Sequence, residues 1–126
     1  MRALDTNVLV RLLAQDDARQ VAAARRWVEP GVWVSTLALA EAMWVLSDIY
    51  ERGPAEIAAA VESLLDDGDL TFQDPEVVAA ALVKFRQRPS VGFSDCLLLE
   101  LARKAGHLPL GTFDRNLGKL DGAQRL

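Results

Sequence analysis

One cysteine and one histidine are the whole of the thiol and imidazole chemistry in a chain of 126 residues. A lone Cys96 excludes an intrachain disulfide, and one Cys with one His falls short of a usual zinc ligand set. Cys96 therefore reads as a small core filler, and His107, which follows Gly106 in a turn, reads as a surface residue. The shortage of histidine also removes the base that a Ser-His-Asp hydrolase needs. Basic charge is scarce too, with 14 Lys and Arg against 18 Asp and Glu and a net charge of −4. That balance argues against tight non-specific nucleic-acid binding by bulk electrostatics, which depends on neutralising phosphates with cations. It leaves room for a contact mediated by a metal ion. The opening MRALDTNVLV has one arginine and a short apolar run broken by Asp5, the pattern of neither a signal peptide nor a membrane span. A cytoplasmic location is expected. Internal repeats, low-complexity tracts and Gly/Ser linkers are all missing.

What is present is the composition of an ordinary folded domain, 51% hydrophobic and 25% charged, with room for one core over residues 1–126. Short apolar runs alternate with longer helical patterns, which gives the α/β class. Arg2–Leu4, Val32–Val34, Leu70–Phe72 and Leu110–Phe113 are the expected strands, and Ala123–Leu126 is a candidate fifth. Asp17 with Gln20 resembles a capping box, followed by Val21, Ala24 and Val28 at helical spacing, with Arg25 and Arg26 on the wet face. Gly53-Pro54 divides two helices. Asp74-Pro75-Glu76 starts another, whose stripe is Val78, Ala81, Leu82 and Phe85. The next runs from about Phe93, with Arg103 and Lys104 in its last turn and Gly106 just beyond. Right-handed crossovers between such strands give a parallel sheet covered on both faces, and ligands bind such sheets beyond the carboxyl ends of the strands. Trp27, Trp33 and Trp44 read as core residues, with a dimer face as the alternative.

Four carboxylates stand out against this frame. Asp5 ends the first strand and Asp114 follows the fourth; Asp95 lies at a helix start, and Glu41 interrupts the otherwise hydrophobic Leu37–Leu46. Each has an ordinary explanation. Asp5 and Asp114 can cap helices, Asp95 can complement a helix dipole, and Glu41, expected to be buried, can be protonated or paired. A shared cation explains all of them together, because an ionised carboxylate in an apolar setting costs several kcal/mol and clustered acids repel. Oxygen-only donors point to Mg²⁺ or Mn²⁺ rather than zinc. Metal-activated water and phosphodiester hydrolysis then form the natural chemistry. Arg11, Arg86, Arg88 and Arg115 are candidates for phosphate contact, with solvated surface charge as the ordinary alternative.

With those residues identified, LDTNVLVRLLAQDD, STLALAEAMWVL, GFSDCLLLELARKAG and GTFDRNLGKL, in that order and approximate spacing, resemble the PIN-domain ribonucleases and, within them, the VapC toxins of prokaryotic VapBC toxin–antitoxin pairs. The likeness covers nearly the whole chain. It implies a three-layer α/β/α domain with a central parallel sheet of four to five short strands. It implies a Mg²⁺ or Mn²⁺ site of Asp5, Glu41, Asp95 and Asp114, with Thr6, Asn7 and Thr112 as polar support. Asn116 stands where many relatives carry another acid, a departure that bears on a second metal position. An RNA substrate, a homodimer and a VapB-like antitoxin are the partners implied.

Three other readings compete. A haloacid-dehalogenase-like phosphatase wants a second acid where Asn7 stands, and a response-regulator receiver wants a phosphoacceptor on its third strand and a lysine after its fifth. Gln73-Asp74 follows the third strand here, and no lysine marks the last. A non-catalytic interaction module of the same fold is disfavoured by the presence of all four acids.

Overall fold

The computed structural model describes residues 1–126, and its strands fall where short apolar runs meet capping residues. The elements are β1 (Arg2–Ala3), α1 (Thr6–Ala14), α2 (Ala18–Val28), β2 (Val32–Val34), α3 (Thr36–Asp48), α4 (Pro54–Asp66), β3 (Leu70–Phe72), α5 (Pro75–Gln87), α6 (Phe93–Ala105), β4 (Leu110–Thr112), a 3₁₀ turn (Leu117–Lys119) and β5 (Ala123–Arg125). They form two units, Met1–Pro75 and Glu76–Leu126. No helix is long and apolar enough to cross a membrane.

In the first unit the strand order is β1-β2-β3, all parallel, with Ala3 beside Trp33 and Trp33 beside Thr71. Burial follows the two-residue period of a strand: Val32 and Val34 are buried with Leu70 and Phe72, while Trp33 and Thr71 point the other way. Asp17 caps α2 by accepting from the amides of Arg19 and Gln20. The reciprocal half of the expected capping box is not made, because the Gln20 side-chain oxygen accepts from Nε of Arg11. In α3, Leu39, Ala42, Met43 and Leu46 form the buried stripe, and α1 packs closely against this helix. Truncating a fully buried leucine such as Leu39 to alanine costs about 2–5 kcal/mol. Gly53 and Pro54 start α4 as N-cap and first helical residue.

The three tryptophans are not core residues. Trp27 is 40% exposed, Trp33 38% and Trp44 54%. Trp27 lies against the Arg2 guanidinium, 3.7 Å from its ring centroid, and its indole N–H donates to the Ala3 carbonyl at 2.8 Å. An indole holding a hydrogen bond at the edge of β1 stays at the surface, where its polar end has a partner.

In the second unit β4 and β5 pair in parallel, Leu110 beside Ala123. The five strands thus all run in parallel ladders, three in one sheet and two in the other. The stripe of α5, Val78, Ala81, Leu82 and Phe85, is buried as its spacing predicts. Phe85 meets Phe93 edge to face at 5.9 Å between centroids. Cys96, Leu97 and Leu99 fill the same core from α6. Gly106 ends that helix at φ 82°, its N–H reaching the carbonyls of Ala102 and Arg103, a conformation that costs glycine no Cβ clash.

Candidate active site

Parallel strands put the loops that carry acids at their carboxyl ends, and both units show this. Asp5 comes two residues after the end of β1 and caps α1, its Oδ1 accepting from the Val8 amide at 3.2 Å. The next residue, Thr6, donates its hydroxyl to Oε2 of Glu41 at 2.9 Å. The first turn of α1 therefore ties the start of that helix to the second turn of α3. Asn7 is exposed in the same turn.

In the second unit Asp114 follows β4 in the same way. Its Oδ1 accepts from the Leu117 amide at 2.8 Å and caps the 3₁₀ turn. Its own amide donates to Oγ1 of Thr112 at 3.0 Å, so Thr112 fixes the acid's turn. Asn116 is exposed and makes no capping bond with its side chain. Asp95 sits half-buried in the first turn of α6. Burial, and behind it the negative charge of Asp114, pushes its carboxyl above the ordinary aspartate range. A helix N-terminus favours an acid by about 0.3–1 kcal/mol, and here loss of water and a like charge outweigh it.

The expectation that all four acids lie in apolar settings is corrected. Asp5, Glu41 and Asp114 are exposed, and only Asp95 is half-buried. Glu41 in particular is not a buried acid. It lies opposite the stripe of Leu39, Ala42, Met43 and Leu46, and the apolar residues that share its side, Leu37 and Trp44, are exposed with it. Desolvation therefore does not by itself call for a cation at these three positions. Their donor chemistry nevertheless suits a hard divalent ion, since every group is an oxygen and none is a thiolate or imidazole. The donors come as Asp5 and Glu41 linked through Thr6, and as Asp95 with Asp114. No three acidic, histidine or cysteine side chains are gathered at a spacing that would hold an ion.

Cys96 is fully buried, and burial first, then Asp95 and Glu100, push its thiol up to about 11. A thiol held protonated is no nucleophile, which fits its reading as core filler. His107 is exposed, also as read. Of the four arginines, Arg86, Arg88 and Arg115 are exposed. Arg11 is committed elsewhere: it donates to Oδ1 of Asp16 and to the Tyr50 hydroxyl, both at 2.9 Å, and to Gln20. The Tyr50 hydroxyl in turn donates to Oδ2 of Asp16 at 2.8 Å.

Two ionic arrangements escape a reading of the sequence. One is this Arg11–Asp16–Tyr50 set, which no local spacing announces. The other is Glu100, a buried acid inside α6 whose Oε2 accepts from Nε of Arg103 at 2.9 Å. Its three-residue spacing is a visible signal for a helical pair.

Comparison with curated proteins and with solved structures returned no match. The family model described as the PIN domain matches residues 2–123. PIN domains are a nuclease fold family, and six helices with parallel strands are consistent with it. A match over nearly the whole chain, on a fold with acids beyond the ends of parallel strands, shows that this chain belongs to the PIN domain family.

Proposed function

We propose that the chain is a metal-dependent endoribonuclease that hydrolyses RNA phosphodiester bonds, the VapC-type toxin of a type II toxin–antitoxin pair. The observation that carries this reading is the placement of Asp5 and Asp114 just beyond β1 and β4, where parallel sheets receive ligands, in a chain of a nuclease fold family. Asp5, Glu41, Asp95 and Asp114 would hold Mg²⁺ or Mn²⁺. An ion there supplies an activated water and neutralises phosphate charge. The chain's own contribution is positional. Capping of α1 aims Asp5, Thr6 orients Glu41, and the Thr112 turn sets Asp114. Arg86, Arg88 and Arg115 are exposed cations, and this supports a phosphate-bearing substrate despite the acidic overall charge. A homodimer, a VapB-like antitoxin and a cytoplasmic location complete the proposal, on the likeness of the four quoted segments to VapC toxins.

The test is incubation of the purified chain with total cellular RNA in Mg²⁺, in Mn²⁺ and in chelator, beside Asp5→Asn, with new RNA ends mapped by sequencing. Discrete ends that need metal and vanish in Asp5→Asn are expected. RNA left intact under every condition overturns the ribonuclease reading and favours a PIN-fold interaction module.

A further inference from the structure

The chain has three tryptophans, four phenylalanines and one tyrosine, and their exposure is uneven. Phe72, Phe85 and Phe93 are buried, the Tyr50 hydroxyl is engaged with Asp16 and Arg11, and Trp27 is held against Arg2. The two most exposed rings are Phe113, at 81%, and Trp44, at 54%. Each adjoins a candidate catalytic acid. Trp44 is three residues after Glu41 on α3, which puts both side chains on one helix face. Phe113 immediately precedes Asp114, and Arg115 follows, so an exposed ring, acid and cation stand consecutively after β4.

Exposed aromatic rings are costly in water, and scattered singly they carry no meaning. These two are not scattered with respect to the acids. A second copy of the chain is a poor occupant for the Trp44 face, because Glu41 in its midst, bonded to the neutral Thr6 hydroxyl, would have to be desolvated. Unpaired nucleobases suit it better. They stack on aromatic faces whatever their identity, while the attached phosphates can reach an exposed arginine such as Arg115, two residues after Phe113.

We propose that Trp44 and Phe113 are base-stacking platforms for the RNA, one beside Glu41 and one beside Asp114. The proposal rests on the ribonuclease reading for its substrate. Stacking by a nucleobase contributes affinity without sequence readout, so loss of either ring should weaken binding whichever base is stacked on it.

The experiment uses a short single-stranded RNA carrying 2-aminopurine, whose fluorescence is quenched by stacking, titrated with the Asp5→Asn chain so that no cleavage intervenes. Quenching is expected, and Trp44→Ala and Phe113→Ala in that background should each lose part of it and weaken binding about five- to a hundred-fold. Trp44→Phe and Phe113→Tyr should restore both signals. In the otherwise unmutated chain, the alanine variants should raise KM for single-stranded RNA far more than they lower kcat. Unchanged binding and quenching in both alanine variants overturns the proposal, as does a change of mass of Trp44→Ala in analytical ultracentrifugation, which assigns the ring to a second copy. Failure of the ribonuclease reading looks different: the RNA stacks and binds, yet the unmutated chain leaves it uncut.

Discussion

The Thr6 hydroxyl donates to the Glu41 carboxylate across 35 positions of sequence, at 2.9 Å, and so connects the residue after Asp5 to a second candidate acid. An exposed hydrogen bond of this kind contributes about 0.5–1.5 kcal/mol, enough to bias one carboxylate rotamer without deciding the fold. Thr6→Val keeps the shape and removes the donor. Ribonuclease activity should fall about three- to ten-fold, the thermal midpoint should barely move, and Thr6→Ser should recover the rate. A cleavage assay with equal activity in Thr6→Val would show that Glu41 needs no such orientation.

Asp5 has two duties that mutations can separate. Its Oδ1 caps α1, and asparagine caps nearly as well as aspartate. Asp5→Asn should therefore keep the unfolding free energy and lose metal-dependent cleavage, whereas Asp5→Ala should lose cleavage and about 1 kcal/mol of stability as well. Urea unfolding beside the RNA assay distinguishes them. Cleavage retained in Asp5→Asn would remove Asp5 from the site.

Much of this was legible in the sequence because it is local. The β2 and β3 bounds, the Asp17 cap, the Pro75 start and the Gly106 cap depend on residues within one turn of each other. The exposure of Glu41 was not legible, for a related reason. A helix reveals its buried face by contrast with polar residues, and Leu37–Leu46 is apolar on both sides. Only packing tells Leu39 and Met43, which are buried, from Leu37 and Trp44, which are not. The Gln20 half of the capping box failed similarly, because Arg11 reaches its side chain from another helix. Of the candidate site, the positions of Asp5 and Asp114 at strand ends were readable. The bonds from Thr6 and Thr112, which orient their neighbours, became visible only with the fold in hand.

Asp16 links stability to pH. The Tyr50 hydroxyl chiefly holds its carboxyl below the usual aspartate range; burial opposes it, and a backbone hydrogen bond, then the Arg11 charge and its hydrogen bond, add to the lowering. A carboxyl depressed in the folded state contributes stability that is present above its unfolded pKa and is lost as pH falls through the folded value. Tyr50→Phe removes the principal cause. The unmutated chain should outlast Tyr50→Phe in thermal melts at neutral pH, and the gap should shrink on acidification below about pH 4. A gap that is constant across that range would mean that the hydroxyl acts through packing alone.

Glu100 and Arg103 test the opposite case, an acid that is buried with a partner that is not. Glu100 is 7% exposed at its side chain and Arg103 36%, with 2.9 Å between Oε2 and Nε. Arg103 also donates to the Asp121 carbonyl at 2.7 Å, so one guanidinium serves both α6 and the loop before β5. Removing one member of a fully buried ion pair costs about 3–5 kcal/mol, because the other charge is left without compensation. Water reaches this guanidinium and would reach part of the gap, so Arg103→Met should cost less, about 1–3 kcal/mol in urea unfolding. Glu100→Gln added to Arg103→Met removes the stranded charge and should recover part of that loss. If the double variant is as unstable as the sum of the two single variants, the pair is uncoupled, and Arg103 then acts through its bond to the Asp121 carbonyl.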